Sequence, residues 1–163
     1  GGYDERLVRN QDNEMNYRIR KNGGKIYLAD DIHLSYYCRD TVKGIANMAV
    51  KNGQWNIITM KLCPGSMGLR HFIPFLFVIS IVLLGLLGVA HPIFWYGLLA
   101  EIGLYLCLDI FFSIKKASGL GEFFVLLYLF PLFHIAYGIG SLIGIGKLCS
   151  KKYRKSNYTN KKI

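Results

Sequence analysis

FIPFLFVISIVLLGLLGVA, residues 72–90, contains no charge. At about 1.5 Å of rise per residue it matches the roughly 30 Å hydrocarbon core of a bilayer. Two further runs of this kind follow, 93–112 and 123–146. An uncharged His91-Pro92 hairpin separates the first two, and SIKKASGLGE (113–122) joins the second to the third. Lys115 and Lys116 in that connection favour the cytoplasmic side. The reading for this half of the chain is therefore a transmembrane region of about three hydrophobic helices.

The third run contains Pro131 and is glycine-rich after Tyr137, so both a full crossing and a re-entrant segment fit it. Three full crossings from a cytoplasmic start place the tail, 147–163, outside. That tail carries seven Lys/Arg and no acid, against the positive-inside tendency, and its side of the membrane stays open.

Residues 1–71 carry eleven Lys/Arg against seven Asp/Glu and no run long enough to cross a bilayer, so they read as water-facing. The net charge of +10 flanks the hydrophobic spans, which points to anionic membrane lipids as partners and away from nucleic acid. Cys38, Cys63, Cys107 and Cys149 are scattered without metal-ligand spacing and read as free thiols or packing residues. The first apolar run begins near Phe72, so no signal peptide is expected. The Gly-Gly start without methionine suggests a larger protein cut at this point.

Within the polar part, Asn10 or Asp12 can cap a helix running through Met15, Tyr17 and Ile19 to Asn22, with Gly23-Gly24 as its stop. KIYLADD reads as a short strand, and IHLSYY continues extended. From Asp40 to Asn52, Val42, Ile45, Ala46, Ala49 and Val50 share one face of a second helix behind an Asp40 or Thr41 cap, and Gly53 is expected to end it. Residues 55–71 mix apolar and basic groups around Pro64-Gly65, as expected of an interfacial amphipathic segment. One or two strands cannot complete a sheet, so this part is expected to need further protein on its N-terminal side.

Asp12 and Glu14 lie at the mouth of the first predicted helix, where an acid is held near the positive helix end and still faces a cleft. Both also fit a plain cap and first-turn acid. The stretch GGYDERLVRNQDNEMNYRIRKNGGKIYLADD (1–31) resembles the second half of the catalytic domain of bacterial family 2 glycosyltransferases, with a G-G-F/Y-D-E segment, an acidic pair and a helix ending R-x-x-x-G-x-x-I. Gln11-Asp12 stands where many relatives have Glu-Asp. Gly53-Gln54-Trp55 is similar to the family's Gln/Arg-rich motif ending in Trp, with Gln54 in place of the usual arginine. Phe130-Pro131 through His134 and Tyr137-Gly138 to Gly140 resembles the F-P-x-x-H-x-x-Y-G-x-G segment of the membrane-bound succinoglycan biosynthesis type.

The resemblance implies an α/β fold: a partial GT-A-like (nucleotide-diphospho-sugar transferase) segment over 1–54, then the interfacial segment 55–71, spans within 72–146 and the basic tail 147–163. It implies the C-terminal portion of a membrane-anchored enzyme of the bacterial cytoplasmic (inner) membrane, with its catalytic segment on the cytoplasmic face. Such an enzyme transfers a sugar from a nucleotide-sugar donor to a lipid-linked saccharide or polysaccharide acceptor. Asp12 takes the role of general base, and Glu14, Gln54 and Trp55 line the acceptor side. An aspartate suits that role, since an inverting displacement needs one carboxylate within hydrogen-bond reach of the incoming hydroxyl. A divalent metal, Mg or Mn, is expected in the full-length parent. None is expected on this fragment, because the D-x-D motif that holds metal and diphosphate has no convincing copy here, and the fragment alone is expected to be inactive.

Other positions carry two readings each. Trp55 suits either a sugar-binding face or an interfacial anchor. His134 suits a packing hydrogen bond or a lipid-acceptor contact, and Gly140 with Gly144 forms a small-xxx-small face for close helix approach. Glu101 and Asp109, eight residues apart on one helix face, suit either structural pairing, with His134 as one partner for Glu101, or a proton or ion path. The second of these is the alternative function, a non-catalytic membrane protein or transporter component with a small cytoplasmic domain. Asp30, Asp31 and His33 read as a strand-end turn before a metal site.

Overall fold

The computed structural model describes residues 2–149, so the tail beyond Cys149, with its open membrane side, lies outside the described residues. Five α-helices account for most of them: α1 Gln11–Lys21, α2 Val42–Leu62, α3 Ile73–Ala90, α4 Ile93–Lys116 and α5 Leu120–Leu148, with a 3-10 turn over Leu69–Phe72. Local chemistry sets several of these limits. Thr41 caps α2, its Oγ1 accepting from the Gly44 amide at 3.1 Å. Gly23 takes φ +79° after α1, a left-handed conformation that ends helices. His91 Nδ1 accepts from the Ile93 amide at 3.2 Å and holds the start of α4.

No strand occurs among the described residues, which overturns the expected α/β, GT-A-like segment. KIYLADD and IHLSYY fall in 25–39, which has no regular secondary structure, with Tyr27, Leu28 and Leu34 each at least 87% exposed. β-branched and aromatic residues suit a pleated surface, but a strand exists only when another backbone completes its ladder. No described segment does so. Asp30 and Asp31 sit at a bend, and His33 is exposed beyond it.

The second correction concerns Gly53. α2 does not stop there; it continues unbroken to Leu62 and takes in the first half of the segment expected to lie at the interface. Gly53 is buried because it is a contact point. A Cβ placed on it collides with the Tyr137 carbonyl and comes within 2.9 Å of the Ser141 amide nitrogen, both backbone groups of α5. Gly140 reciprocally faces the Val50 backbone, and a Cβ added to Gly144 would lie 2.7 Å from the Gln54 carbonyl oxygen. Positions 50 and 54 meet 140 and 144 in the same order, so the two helices run parallel with their backbones in close approach. Small residues permit this approach.

α3, α4 and α5 are each long and apolar enough to cross a membrane, and most of their surface is unburied within the chain, consistent with a membrane protein. α3 and α4 form an antiparallel hairpin. Trp95 lies over Gly88 near the turn, Ser80 meets Glu101, and Phe77 stacks on Tyr105 at 4.5 Å. α5 joins at the open end of this hairpin, where Gly138 seats against Pro74 and Val78. It is one continuous helix of 29 residues through Pro131, about 43 Å long, and so is not broken into a re-entrant loop. Its C-terminal half lies along α2, which carries exposed Lys43, Lys51 and Lys61.

Candidate functional site

Two polar assemblies stand out, one where the N-terminal segment meets α2 and one along α4. The first is built on three polar side chains that α2 presents to one side, Asn52, Asn56 and Thr59. Arg9 Nη1 donates to Asn52 Oδ1 at 2.6 Å, and Asn10 Nδ2 donates to Asn56 Oδ1 at 2.6 Å and to Thr59 Oγ1 at 3.3 Å. Asn10 occupies the cap position of α1, but at φ +62° its side chain makes no capping bond and is directed to α2. The left-handed conformation is tolerable for Asn, whose short polar side chain finds partners there.

The network continues inward. Asn56 Nδ2 donates to the Tyr137 hydroxyl of α5, which donates to the His71 carbonyl at 2.9 Å. Asn56 and Tyr137 are both buried, so these bonds satisfy groups that water does not reach. Around them Leu7, Trp55, Ile58 and Leu62 form an apolar cluster, with Leu148 packed against it. Upstream, Asp4 is buried and clamped by Arg6, whose backbone amide and Nε each donate to Oδ1 at 3.0 Å while Nη2 donates to Oδ2 at 2.5 Å.

The residues expected to carry chemistry divide on this frame. Asp12 is exposed on the first turn of α1, two residues beyond the pinned Asn10, and it lines neither of the two grooves among α3, α4 and α5. Glu14 is buried at 2% exposure and ion-paired with Arg18, Oε1 to Nε at 3.0 Å, so it faces protein and not an open cleft. The Trp55 indole is 8% exposed and packed in the cluster with Leu7, which leaves little face for a sugar ring. Gln54 is half-buried with its carbonyl against Gly144. The architecture thus unites Trp55 with the segment preceding Asp12, while Asp12 itself remains at the surface.

The divalent metal that the resemblance implies belongs to the full-length parent, and the described residues do not bear on it. Among the described residues no three His, Cys, Asp or Glu side chains group to hold a cation, and in the one D-x-E stretch Glu14 is turned into its pairing with Arg18.

The second assembly is a polar seam on α4, where Glu101, Tyr105, Asp109 and Ser113 recur every fourth residue and so share one face. Ser80 Oγ of α3 donates to Glu101 Oε1 at 2.5 Å. His134 of α5 places Nδ1 2.9 Å from both the Tyr105 hydroxyl and the Phe130 carbonyl. Ser113 Oγ donates to Asp109 Oδ1 at 3.4 Å. Glu101 Oε2 and Asp109 Oδ2 are buried without a hydrogen-bond partner.

Of the paired readings, His134 makes the packing hydrogen bond, with Tyr105 as its partner, and Glu101 pairs with Ser80 and not with His134. Beside Asp109 a groove of about 380 Å³ opens between α3, α4 and α5, walled by Phe77, Phe112 and Phe130 and reached by Lys116. A shallower one runs beside Glu101 and Ser80. Tyr105, Ser113 and Ser80 were missed from sequence, although the four-residue spacing of polar groups in an apolar run was a usable signal.

No protein-family model, no curated protein and no solved structure matches this chain.

Proposed function

We propose that this chain is the membrane-anchoring, acceptor-side portion of a glycosyltransferase that moves a sugar from a nucleotide-sugar donor to a lipid-linked or polysaccharide acceptor. The observation that carries the reading is the hydrogen-bonded series Asn10–Asn56–Tyr137–His71. It ties the acid-bearing α1 through α2 to α5 and to the residues that open α3. In this reading the polar segment carrying Asp12 lies at the end of the apolar bundle where the head of an amphiphilic acceptor would leave the bilayer. Lys115 and Lys116 close α4 at the same end, which supports a cytoplasmic orientation for this face.

In the proposed step Asp12 accepts the proton of the acceptor hydroxyl as its oxygen attacks the anomeric carbon. The bond from that carbon to the nucleoside diphosphate breaks with inversion, and the diphosphate leaves with the electron pair. Positioning supplies much of the rate, since holding two reactants together replaces a bimolecular encounter. Glu14 with Arg18, and Trp55 in its cluster, act as supports for the Asp12 turn; Gln54 is the remaining acceptor-side side chain. The sequence resemblance supports the assignment.

The test uses membranes expressing the complete reading frame that contains these residues, supplied with labelled nucleotide-sugars and extracted lipid. Asp12→Asn is expected to lower transfer by about 100-fold or more, the usual contribution of a general base. Asp12 is exposed, so the substitution leaves the fold intact. Equal transfer by both proteins removes Asp12 from the mechanism.

A further inference from the structure

Asp109 is 5% exposed, yet its Oδ2 has no hydrogen-bond partner, and Ser113 reaches only the other oxygen at a long 3.4 Å. A carboxylate accepts about four hydrogen bonds, and one buried with a bare oxygen is strongly unfavourable unless something completes it. The groove beside it supplies the space. Its wall is almost wholly apolar, and its volume of about 380 Å³ lies in the range of small-molecule sites. Lys116 borders the same groove two helical turns further along α4, about 10 Å by rise, within the combined reach of a lysine stem and a small head group. Ile73 and Pro74, which open α3, line it as well. The groove therefore sits where α3 begins and α4 ends, at head-group depth for helices that cross a bilayer.

This pattern of charge selects one occupant. Asp109 Oδ2 calls for a donor that also carries positive charge, Lys116 for an anion, and the aromatic wall for hydrocarbon chains. A glycerol head offers Asp109 only neutral hydroxyl donors beside its phosphate, and a quaternary amine has no N–H to give. We propose that the groove between α3, α4 and α5 is a binding site for a phospholipid with a primary ammonium head of the phosphoethanolamine type. The ammonium donates to Asp109 Oδ2, the phosphate pairs with Lys116, and the chains lie on Phe77, Phe112 and Phe130. The site is separate from Asp12 and stands whether or not the chain takes part in sugar transfer.

Native mass spectrometry of the full chain in mild detergent tests this, with phosphatidylethanolamine, phosphatidylcholine and phosphatidylglycerol of identical chains offered together. Wild type is expected to retain the ethanolamine lipid about tenfold over either competitor, the scale of one charge-assisted hydrogen bond. Asp109→Asn is expected to bring that ratio close to one. Lys116→Gln is expected to lower retention of all three phosphate-bearing lipids together. Should Asp109→Asn fail to fold, wild type offered the N-methylated ethanolamine series decides alone: retention is lost at the fully methylated member, which has no N–H to donate. A flat series, retention of the glycerol lipid equal to that of the ethanolamine lipid, or an unchanged preference in folded Asp109→Asn overturns the proposal.

Discussion

Substituting Gly144 by alanine tests the parallel packing of α2 on α5 with a single methyl group. The added Cβ lies 2.7 Å from the Gln54 carbonyl oxygen, 3.0 Å from Ile57 Cβ and 3.1 Å from Gln54 Cα. Ordinary contact requires about 3.5 Å or more, so the helices must part by roughly 0.8 Å or the backbone must bend. Two of the three neighbours are backbone atoms, and neither can swing aside. A gap of that size forfeits a quarter to a half of each dispersion contact along the seam, and overpacking of this kind costs about 1–3 kcal/mol. Alanine also favours the helix over glycine by up to about 1 kcal/mol, which partly hides the loss. Gly146 removes that ambiguity, because it lies one residue beyond Ile145 on the same helix with nothing within 4 Å of its added Cβ. The difference between Gly144→Ala and Gly146→Ala therefore isolates the steric cost, expected at about 1–3 kcal/mol. The assay is reversible unfolding in mixed detergent and SDS in a Trp95→Phe background. The remaining Trp55 packs in the cluster touched by Leu148 of α5, so its emission shifts to the red as α2 lifts away. Equal stability of the two alanine variants refutes the close approach.

Tyr137→Phe leaves the buried Asn56 amide and the His71 carbonyl without their shared partner, and is expected to lower stability by about 1–3 kcal/mol in the same unfolding assay. Thr41→Ala removes the cap of α2 and is expected to cost about 1 kcal/mol, with amide exchange accelerated over the first turn after Val42 and unchanged near Leu62.

The three apolar helices were legible because bilayer length and the absence of charge are additive properties of a run and need no knowledge of neighbours. Gly140 and Gly144 were legible as a contact face for the same reason: small residues four apart on a helix mark close approach wherever the partner comes from. The partner was not legible. Gly53 carries the same lack of a side chain, but in a stretch of middling hydropathy a glycine reads equally as a helix stop, and only the opposing backbone of α5 decides between the two uses. The strand expectation failed on a similar point. Residue type in 25–39 describes what a pleated surface would accept, whereas a ladder is a property of two segments, and the described chain contributes only one. Site residues follow the same rule. Spacing put Glu101 and Asp109 on one face, yet Ser80 and His134, which meet that face, come from helices whose register no local pattern fixes.

Asn10 shows how far this non-local control reaches. By residue type it should cap α1, and it stands at the cap position, but its side chain leaves the helix end and binds Asn56 and Thr59. A capping bond is worth about 1 kcal/mol, whereas an unsatisfied buried Asn56 carbonyl and Thr59 hydroxyl would each cost about 1–3 kcal/mol. Leaving those two groups unpaired costs more than leaving the helix uncapped, and the Asn10 conformation follows from that difference. The direction of α1, and with it the placement of Asp12 at the surface, is therefore set by polar groups on α2 that in turn are fixed by the glycine contact with α5. An acid exposed to water is thus positioned by the part of the chain where two backbones touch.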